Sequence, residues 1–406
     1  IFALTNESND RLTADSSTFV EEFQLQGTAF EERLTWQAGI YYEKSEPESD
    51  YGSQTYAFLS CDENLARDPN PANWRCNDVA IAGLVPLPFT GSQASVANLT
   101  PLFPAGTPPQ VIAGTSAGLM NARLGSASTS PGGVTYTNKA VFAQGSYDIS
   151  EELALTVGLR YTDDETKGYV TEKIALFPGN LFSGGYFPPD QILSFTRNPE
   201  TSSDEFTWVA GLDYKPNADS LYYGKYARGY RQGSVNLAGT PPFDTHEPEQ
   251  VDTYELGAKM SFNGEMPATL NVAAFYNDFQ DQQLQLGYRN TFGVGTTAVV
   301  NAGSSTIWGM EIEGTVLLTD RLGLNVSYAY LNTEVDELNY PDITAITANN
   351  SPPTPATAQG EPLPLTPENQ LVATVSYRLP VAETLGEMTA ALTYIYTDDR
   401  QSVSPS

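Results

Sequence analysis

The stretch "LALTVGLRY" alternates without a break. Leu153, Leu155, Val157, Leu159 and Tyr161 fall on one face, and Ala154, Thr156, Gly158 and Arg160 on the other. A period of two belongs to a strand and not to a helix. The pattern recurs in "FTWVAGLDY", "TYELGAKMSF", "LTWQAGIYY", "VFAQGSYDI", "LGLNVSYAY" and "LVATVSYRL". It predicts about twelve strands, at 18–27, 34–43, 138–149, 153–163, 204–214, 220–230, 251–262, 268–280, 297–318, 322–335, 367–379 and 387–398.

The connections are unequal. On one side they are short and rich in turn formers: "SEE" after Ile149, Lys215 to Asp219, Thr319 to Arg321, "NGEMP" and "LPVAETLGE". On the other side they run to about 94 residues (Lys44 to Thr137), about 40 (Asp164 to Ser203), about 20 (Arg231 to Gln250) and about 31 (Asp336 to Thr366). Short turns at one edge, long loops at the other and a dyad apolar face describe a transmembrane antiparallel β-barrel. A soluble β-sandwich also alternates, but its loops stay short at both ends. Trp36, Tyr41, Tyr42, Tyr161, Trp208, Tyr214, Tyr328 and Tyr330 lie near strand ends, where an interfacial aromatic girdle would sit.

The alternation also sorts faces. Trp208 and Leu212 are expected toward lipid. Gln144, Arg160, Glu255, Lys259, Glu311 and Glu313 are expected toward the lumen, with Glu22, Gln24, Gln26, Gln37, Asp148, Asp213, Asn325 and Arg378. There they would either dock a lumen-filling domain or form a solvated wall. The stretch "YYGKYARGYRQGSVN" sorts less cleanly: Tyr222, Tyr226, Arg228 and Tyr230 share one face, and Leu221, Tyr223, Lys225 and Ala227 the other. Its cations suit an interface belt or packing beneath a loop. The sharper reading makes Arg228, Tyr230, Arg231 and Asn236 ligand contacts, the two arginines pairing with an anionic chelate.

Composition excludes several classes. The 406 residues carry a formal net charge of −29, which is wrong for a nucleic-acid partner. No run reaches the ~18 apolar residues of a spanning helix. The chain opens "IFALTNESND", with neither Met nor a signal segment, as expected of a mature secreted chain or a piece of a longer one. Cys61 and Cys76 are the only cysteines, and the only histidine is the distant His246, too few ligands for zinc. They read as a disulfide, worth about 3 kcal/mol in the loop-entropy account, or else as two reduced thiols. No catalytic set is legible: His246 lies in "FDTHEPEQ", and there is no Gly-x-Ser-x-Gly elbow or phosphate-cradling loop. The acidic runs "EKSEPESD", "TDDE" and "YTDD" could carry Ca²⁺ or Mg²⁺ bridged to lipopolysaccharide, or plain solvated charge. None has EF-hand spacing, so no metal site and no cofactor is assigned.

Several segments together resemble the C-terminal barrel domain of TonB-dependent outer-membrane receptors. They are "YYGKYARGYRQGSVN", "EPEQVDTYELGAKMSF", "LNVAAFYNDFQDQQLQ", "NAGSSTIWGMEIEG" and "AVFAQGSYDISEELALTVGLRYTDDE", in that family's pattern, with "FVEEFQLQG" and "WQAGIYYE" fitting upstream. The resemblance implies an all-β fold in which about twelve of a probable twenty-two strands are present, with long extracellular loops and short periplasmic turns. It implies a place in the bacterial outer membrane among lipopolysaccharide and lipid. It also implies a plug domain and coupling box outside this chain, an energy-transducing TonB complex as partner, and a scarce ligand, most commonly a ferric siderophore. Residues 1–406 would then be a partial receptor barrel with 44–137 as an extracellular loop inserted in it. The aromatic loop Asn180 to Gln191 would suit a siderophore or a sugar. The competing expectation is a passive porin-like channel of about twelve strands.

Overall fold

A computed structural model describes residues 2–4, 15–52, 54–57, 59–61, 68, 70–78, 106, 108–109, 126–177, 188–189, 191–239, 241–289, 295–339, 354–355, 357–382, 384 and 386–401. The strands are, in order, β1 (Phe2–Leu4), β2 (Ser16–Ala29), β3 (Leu34–Pro47), β4 (Gln54–Ala57), β5 (Leu59–Cys61), β6 (Cys76–Asp78), β7 (Ser126–Thr129) and β8 (Gly132–Asp148). Then come β9 (Leu153–Leu176), β10 (Gln191–Arg197), β11 (Glu200–Asn217), β12 (Ser220–Arg231), β13 (Ser234–Val235), β14 (Thr245–His246), β15 (Glu249–Phe262) and β16 (Ala268–Gln280). The last are β17 (Gln283–Arg289), β18 (Gly295–Asn301), β19 (Gly303–Thr319), β20 (Leu322–Leu338), β21 (Thr354–Pro355), β22 (Asn369–Arg378) and β23 (Thr389–Thr397). Among the described residues no helix is long and apolar enough to cross a membrane.

The chain forms two compact units. The larger comprises Phe19–Lys44, Tyr136–Thr166 and Glu200–Ser406, and the smaller Ile1–Thr18, Ser45–Thr135 and Lys167–Pro199. In the larger, the long strands follow one another in the order β2, β3, β8, β9, β11, β12, β15, β16, β19, β20, β22, β23, and the ladders from β11 to β23 are antiparallel. These twelve strands are the ones the alternation predicts, with two differences. β9 runs on to Leu176, well past the expected end. The expected strand 297–318 is two strands, broken after Ala302 at Gly303, whose φ of +136° suits only glycine. A Cβ there would sit 2.0 Å from the Glu337 carbonyl oxygen.

The short turns close with their own side chains. Ser150 Oγ accepts from the amides of Glu152 and Leu153, Thr319 Oγ1 from those of Arg321 and Leu322, and Asn217 Oδ1 from that of Asp219. Such turns fix hairpin register. Opposed residues share a face of a sheet, so the ladders can be read as rows. Ala210, Tyr226, Tyr254, Tyr276, Trp308 and Asn332 stand opposite one another in succession. The next row on the same face is Leu212, Gly224, Leu256, Ala274, Met310 and Tyr330, and the one after is Tyr214, Tyr222, Ala258, Val272, Ile312, Tyr328, Leu371 and Tyr396. Leu256 is 69% exposed on this face and Tyr254 52%, which in water would be a costly patch. From Tyr254 to Phe262 the apolar face runs about 27 Å along the strand at ~3.4 Å per residue. A tilt of ~40° projects that to about 20 Å, the scale of the lipid band of a barrel wall. β2 and β23 each pair with a single neighbour among the described residues, so the sheet is open at both edges.

In the smaller unit, β1, β4, β7, the far end of β9 and β10 pair antiparallel. The β5–β6 hairpin is closed by a disulfide between Cys61 and Cys76, whose Cα atoms are 4.0 Å apart. Trp74, Cys76, Ala127, Ala175 and Phe177 form the buried core beside it. Trp74 is fixed by donating Nε1–H to the Asp68 carbonyl at 2.6 Å.

Two expectations follow. Leu256→Lys places a cation on the apolar face at a cost of ~2–4 kcal/mol, whereas Ser327→Lys lands on the polar face opposite Glu313. Only the first should lower the fraction reaching a heat-resistant folded form in lipid vesicles; equal loss for both would overturn the facing. Replacing Cys61 and Cys76 together by Ser should loosen the hairpin by about 3 kcal/mol. Trypsin cleavage after Arg75 should then be at least tenfold faster, and an unchanged rate would mean that the Trp74 core holds the loop without the bridge.

Candidate functional site

On the polar face of the larger unit, one tyrosine organises a motif. Tyr223 donates its hydroxyl to Glu255 Oε1 at 2.8 Å, and Lys225 Nζ meets Glu255 Oε2 at 2.8 Å. Lys259 Nζ lies 6.0 Å from the centre of the Tyr223 ring. A Cβ on Gly257 would come within 2.4 Å of that ring, so only glycine leaves room for it. "ELGAK" is therefore the seat of Tyr223: a carboxylate for its hydroxyl, a gap for its ring and a cation over its face. Ladder register places Glu311 in the Gly257 row and Glu313 in the Lys259 row, so Glu255, Lys259, Glu311 and Glu313 share the polar face. Further along, the Arg160 guanidinium carbon lies 5.2 Å from the Tyr41 ring centre and 5.8 Å from that of Phe142. Arg160 Nε donates to Thr162 Oγ1 at 3.0 Å. Gln144 packs where a Cβ on Gly158 would be, 3.3 Å from Gln144 Cγ.

The arginine-tyrosine stretch divides between the two faces. Tyr222 and Tyr226 belong to the apolar face, and Tyr226 stacks on Tyr254 at 4.9 Å. Arg228 stands in the row beyond the aromatic one, between Trp208 and Asp252. Its Nε and Nη2 grip both Asp252 oxygens, Tyr226 donates to the same carboxylate at 2.9 Å, and its guanidinium carbon lies 4.8 Å from the Trp208 ring centre. Tyr230 donates to Asp164, which also accepts from Asn138 Nδ2 at 2.5 Å. Arg231 Nη2 pairs with Glu249 Oε2 at 2.8 Å, its side chain still 58% exposed. Asn236 donates to the carbonyls of Phe243 and Val299, both at 2.8 Å, and accepts from the Val299 amide at 3.1 Å. All four expected ligand contacts thus hold partners inside the protein.

What the sequence did not reveal is a second knot beyond the strand ends. Asn301 Nδ2 donates to the carbonyls of Glu247 (2.9 Å), Pro248 (3.3 Å) and Asp281 (2.8 Å), while its Oδ1 accepts from the Glu247 amide at 2.7 Å. Gln283 Nε2 donates to the carbonyls of Gln232 (2.9 Å) and Glu247 (3.0 Å), and its amide donates to Glu249 Oε2 at 2.7 Å. These are the residues of "EPE" and "NAG", brought together from 54 positions apart. Over the knot, Phe243, Leu286, Tyr288, Ala298, Val300 and Ala302 bury one another, with Leu284 and Leu338 against them. The only available signal is the alternation of 283–288 and 297–302; the strand reading places the second inside the 297–318 strand and assigns the first to none.

His246 lies in β14, opposite Ser234, and is 9% exposed. Burial lowers its pKa from 6.5 to about 4, and the Arg231 charge acts in the same direction. Among the described residues no group of three or more His, Cys, Asp or Glu is placed to hold a metal ion. Most of the aromatic loop Asn180 to Gln191 lies outside the described residues.

Residues 3–406 match the family described as TonB dependent receptor-like, beta-barrel. A probable TonB-dependent siderophore receptor, PiuA, of Acinetobacter baumannii is 24% identical over 190 residues, covering 43% of this chain and 24% of that receptor. Among solved structures, the siderophore receptor PiuA from Acinetobacter baumannii gives a TM-score of 0.57 at 18% identity, over 94% of this chain and 46% of that one. The ferric yersiniabactin uptake receptor FyuA from Yersinia pestis gives 0.56 at 14% identity, over 94% of this chain and 42% of that one. The likeness to the two structures is one of fold. The chain spans about a quarter of the curated relative and under half of either structure.

The single histidine makes a clean titration. Because its folded pKa is depressed, the segment around His246 has its full stability above about pH 6.5. Stability falls as the pH drops toward 4, by an amount on the order of 3 kcal/mol for a shift of this size. The imidazole NMR signal of the folded protein should stay that of the neutral ring at pH 5.5. A midpoint near 6.5 would show that the ring is hydrated.

Proposed function

The chain belongs to the TonB-dependent receptor β-barrel family, and from that membership we propose that it forms part of the wall of a receptor that imports a scarce ligand, a ferric siderophore first among candidates. The family is one of transport receptors and its barrels lie in the outer membrane, so no covalent chemistry is asked of these side chains. The observation that carries the reading is the pair of faces: a lipid-scaled apolar face backed by a polar one bearing Glu255, Lys259, Glu311 and Glu313.

In this reading the polar face, with Gln144 and Arg160, lines the lumen and meets the plug, and residues 44–137 are an extracellular loop. Energy reaches the ligand through the inner-membrane TonB complex. The curated relative, named as a probable siderophore receptor, supports the cargo class. Arg231 is the member of the arginine-tyrosine group suited to an anionic chelate, since it stays half exposed while Glu249 holds it. Arg228, Tyr230 and Asn236 build the rim on which that contact depends. The acidic runs Glu43 to Asp50, Thr162 to Glu165 and Tyr396 to Asp399 would face lipopolysaccharide through bridging cations.

The test uses the full-length protein in its own outer membrane. Radiolabelled iron chelates of the hydroxamate and catecholate classes should bind saturably, and accumulation should stop when the proton-motive force is dissipated. Arg231→Gln should weaken binding of the preferred chelate about tenfold, the loss of one charge-assisted contact of ~1.5 kcal/mol. A steady ion conductance in planar bilayers with no saturable chelate binding would instead establish the passive channel.

A further inference from the structure

At the long-connection side, the connections are bonded to one another as well as to the strand ends. Asn301 ties the segment Glu247–Pro248 to the turn at Asp281, and Gln283 ties Gln232 and Glu247 to the base of β17. Asn236 ties the β13–β14 turn to the middle of β18. Phe243, from that same turn, is fully buried with its ring centre 5.2 Å from that of Tyr288 on β17. A third connection joins them: β21 extends the β17–β18 hairpin to three strands through Leu286↔Pro355 and Gly287↔Thr354. The Asn339 amide donates to the Ala302 carbonyl at 2.6 Å, and Gly360 to that of Val335 at 2.8 Å.

We propose that the described parts of these three connections, 232–239 with 241–248, 281–289 with 295–302, and 354–355 with 357–366, are one cooperative body, with Asn236, Gln283 and Asn301 as the positioning residues that join it to the strand ends. The proposal rests on the reading of this side as the outer, ligand-meeting one. No connection can open alone. Lifting 232–248 strips the fully buried Phe243 from Tyr288, which is where the cost lies, and also breaks the shallower bonds from the Asn301 and Gln283 amides to the carbonyls of 232–248. Lifting β17–β18 breaks the same bonds from the other partner. Segments sharing a core and a hydrogen-bond set open as a unit. A ligand held by any one of the three therefore orders all three, and the surface it meets is composite and preformed, which favours binding by lowering the ordering cost.

Hydrogen exchange on the full-length protein in lipid nanodiscs tests this in both directions. Phe243→Ala should speed exchange of the β17–β18 amides, Leu284 to Val300, at least tenfold. Leu286→Ala should do the same to Ser234–His246. Asn301→Ala should loosen both, and Asn301→Asp, which keeps only the acceptor for the Glu247 amide, should restore only a small part. Exchange of Thr269–Phe279 in the wall should not move in any variant, which shows that each has folded. If each substitution loosened its own connection alone, the cooperative body would be overturned. Separately, Ala238→Cys should react with a membrane-impermeant maleimide on intact cells. Absence of labelling would remove the outward placement and leave the exchange result to judge the coupling.

Discussion

Everything in the larger unit depends on one constraint, the register of its antiparallel ladder. From β12 to β16, and on through β19 to β22, residues are paired almost without interruption, the shifts falling near the strand ends. A slip of one residue in β15 would send Glu255 and Lys259 to the apolar side and Leu256 to the polar one. In water that exchange would be expensive; in hydrocarbon, where each exposed charge costs kilocalories and no solvent satisfies a stray backbone group, it would be prohibitive. The register is set cheaply, by hydroxyl and amide side chains that close turns of three to five residues. The wall is thus specified by small local bonds and enforced by the solvent it faces.

Two knots then explain why particular words recur in the sequence. Glu255, Gly257 and Lys259 surround one ring, Tyr223, contributed by the neighbouring strand. Glu247, Glu249, Asn301 and Gly303 fasten the outer connections to the strand ends. Both are rules for building the wall and its rim. A match to such motifs therefore carries the fold with confidence of identity but says little about cargo, which must be recognised by the connections between them.

The strands were legible because their signal is local: a two-residue period survives any tertiary context in which one face meets lipid and the other water. The break at Gly303 was not, since Thr297 to Leu318 keeps its alternation across a point where the backbone turns into positive φ. The outer body was invisible for a different reason. Phe243 comes from one connection and Tyr288 and Val300 from another, and no period links the two, so nothing in the sequence marks them as one core. The site residues fared between these extremes. Their faces followed from parity, but the partners of Arg228, Tyr230 and Asn236 lie 24, 66 and 63 positions away, and only the fold brings them near.

Charge gives the last link between wall and function. With 20 Lys and Arg against 49 Asp and Glu, the long-range field of this chain repels anions. Several strand-borne cations are neutralised in place: Lys225 by Glu255, Arg228 by Asp252, Arg231 by Glu249, Lys139 by Asp163. Attraction at a distance therefore cannot be what gathers an anionic chelate. On the proposed function, such a ligand would be held at short range, by donors already aligned by a carboxylate and by a rim that need not reorganise to meet it. On that proposal, fixed geometry would do what surplus positive charge does in proteins that collect anions by their field, and the knot at the strand ends would keep that geometry fixed.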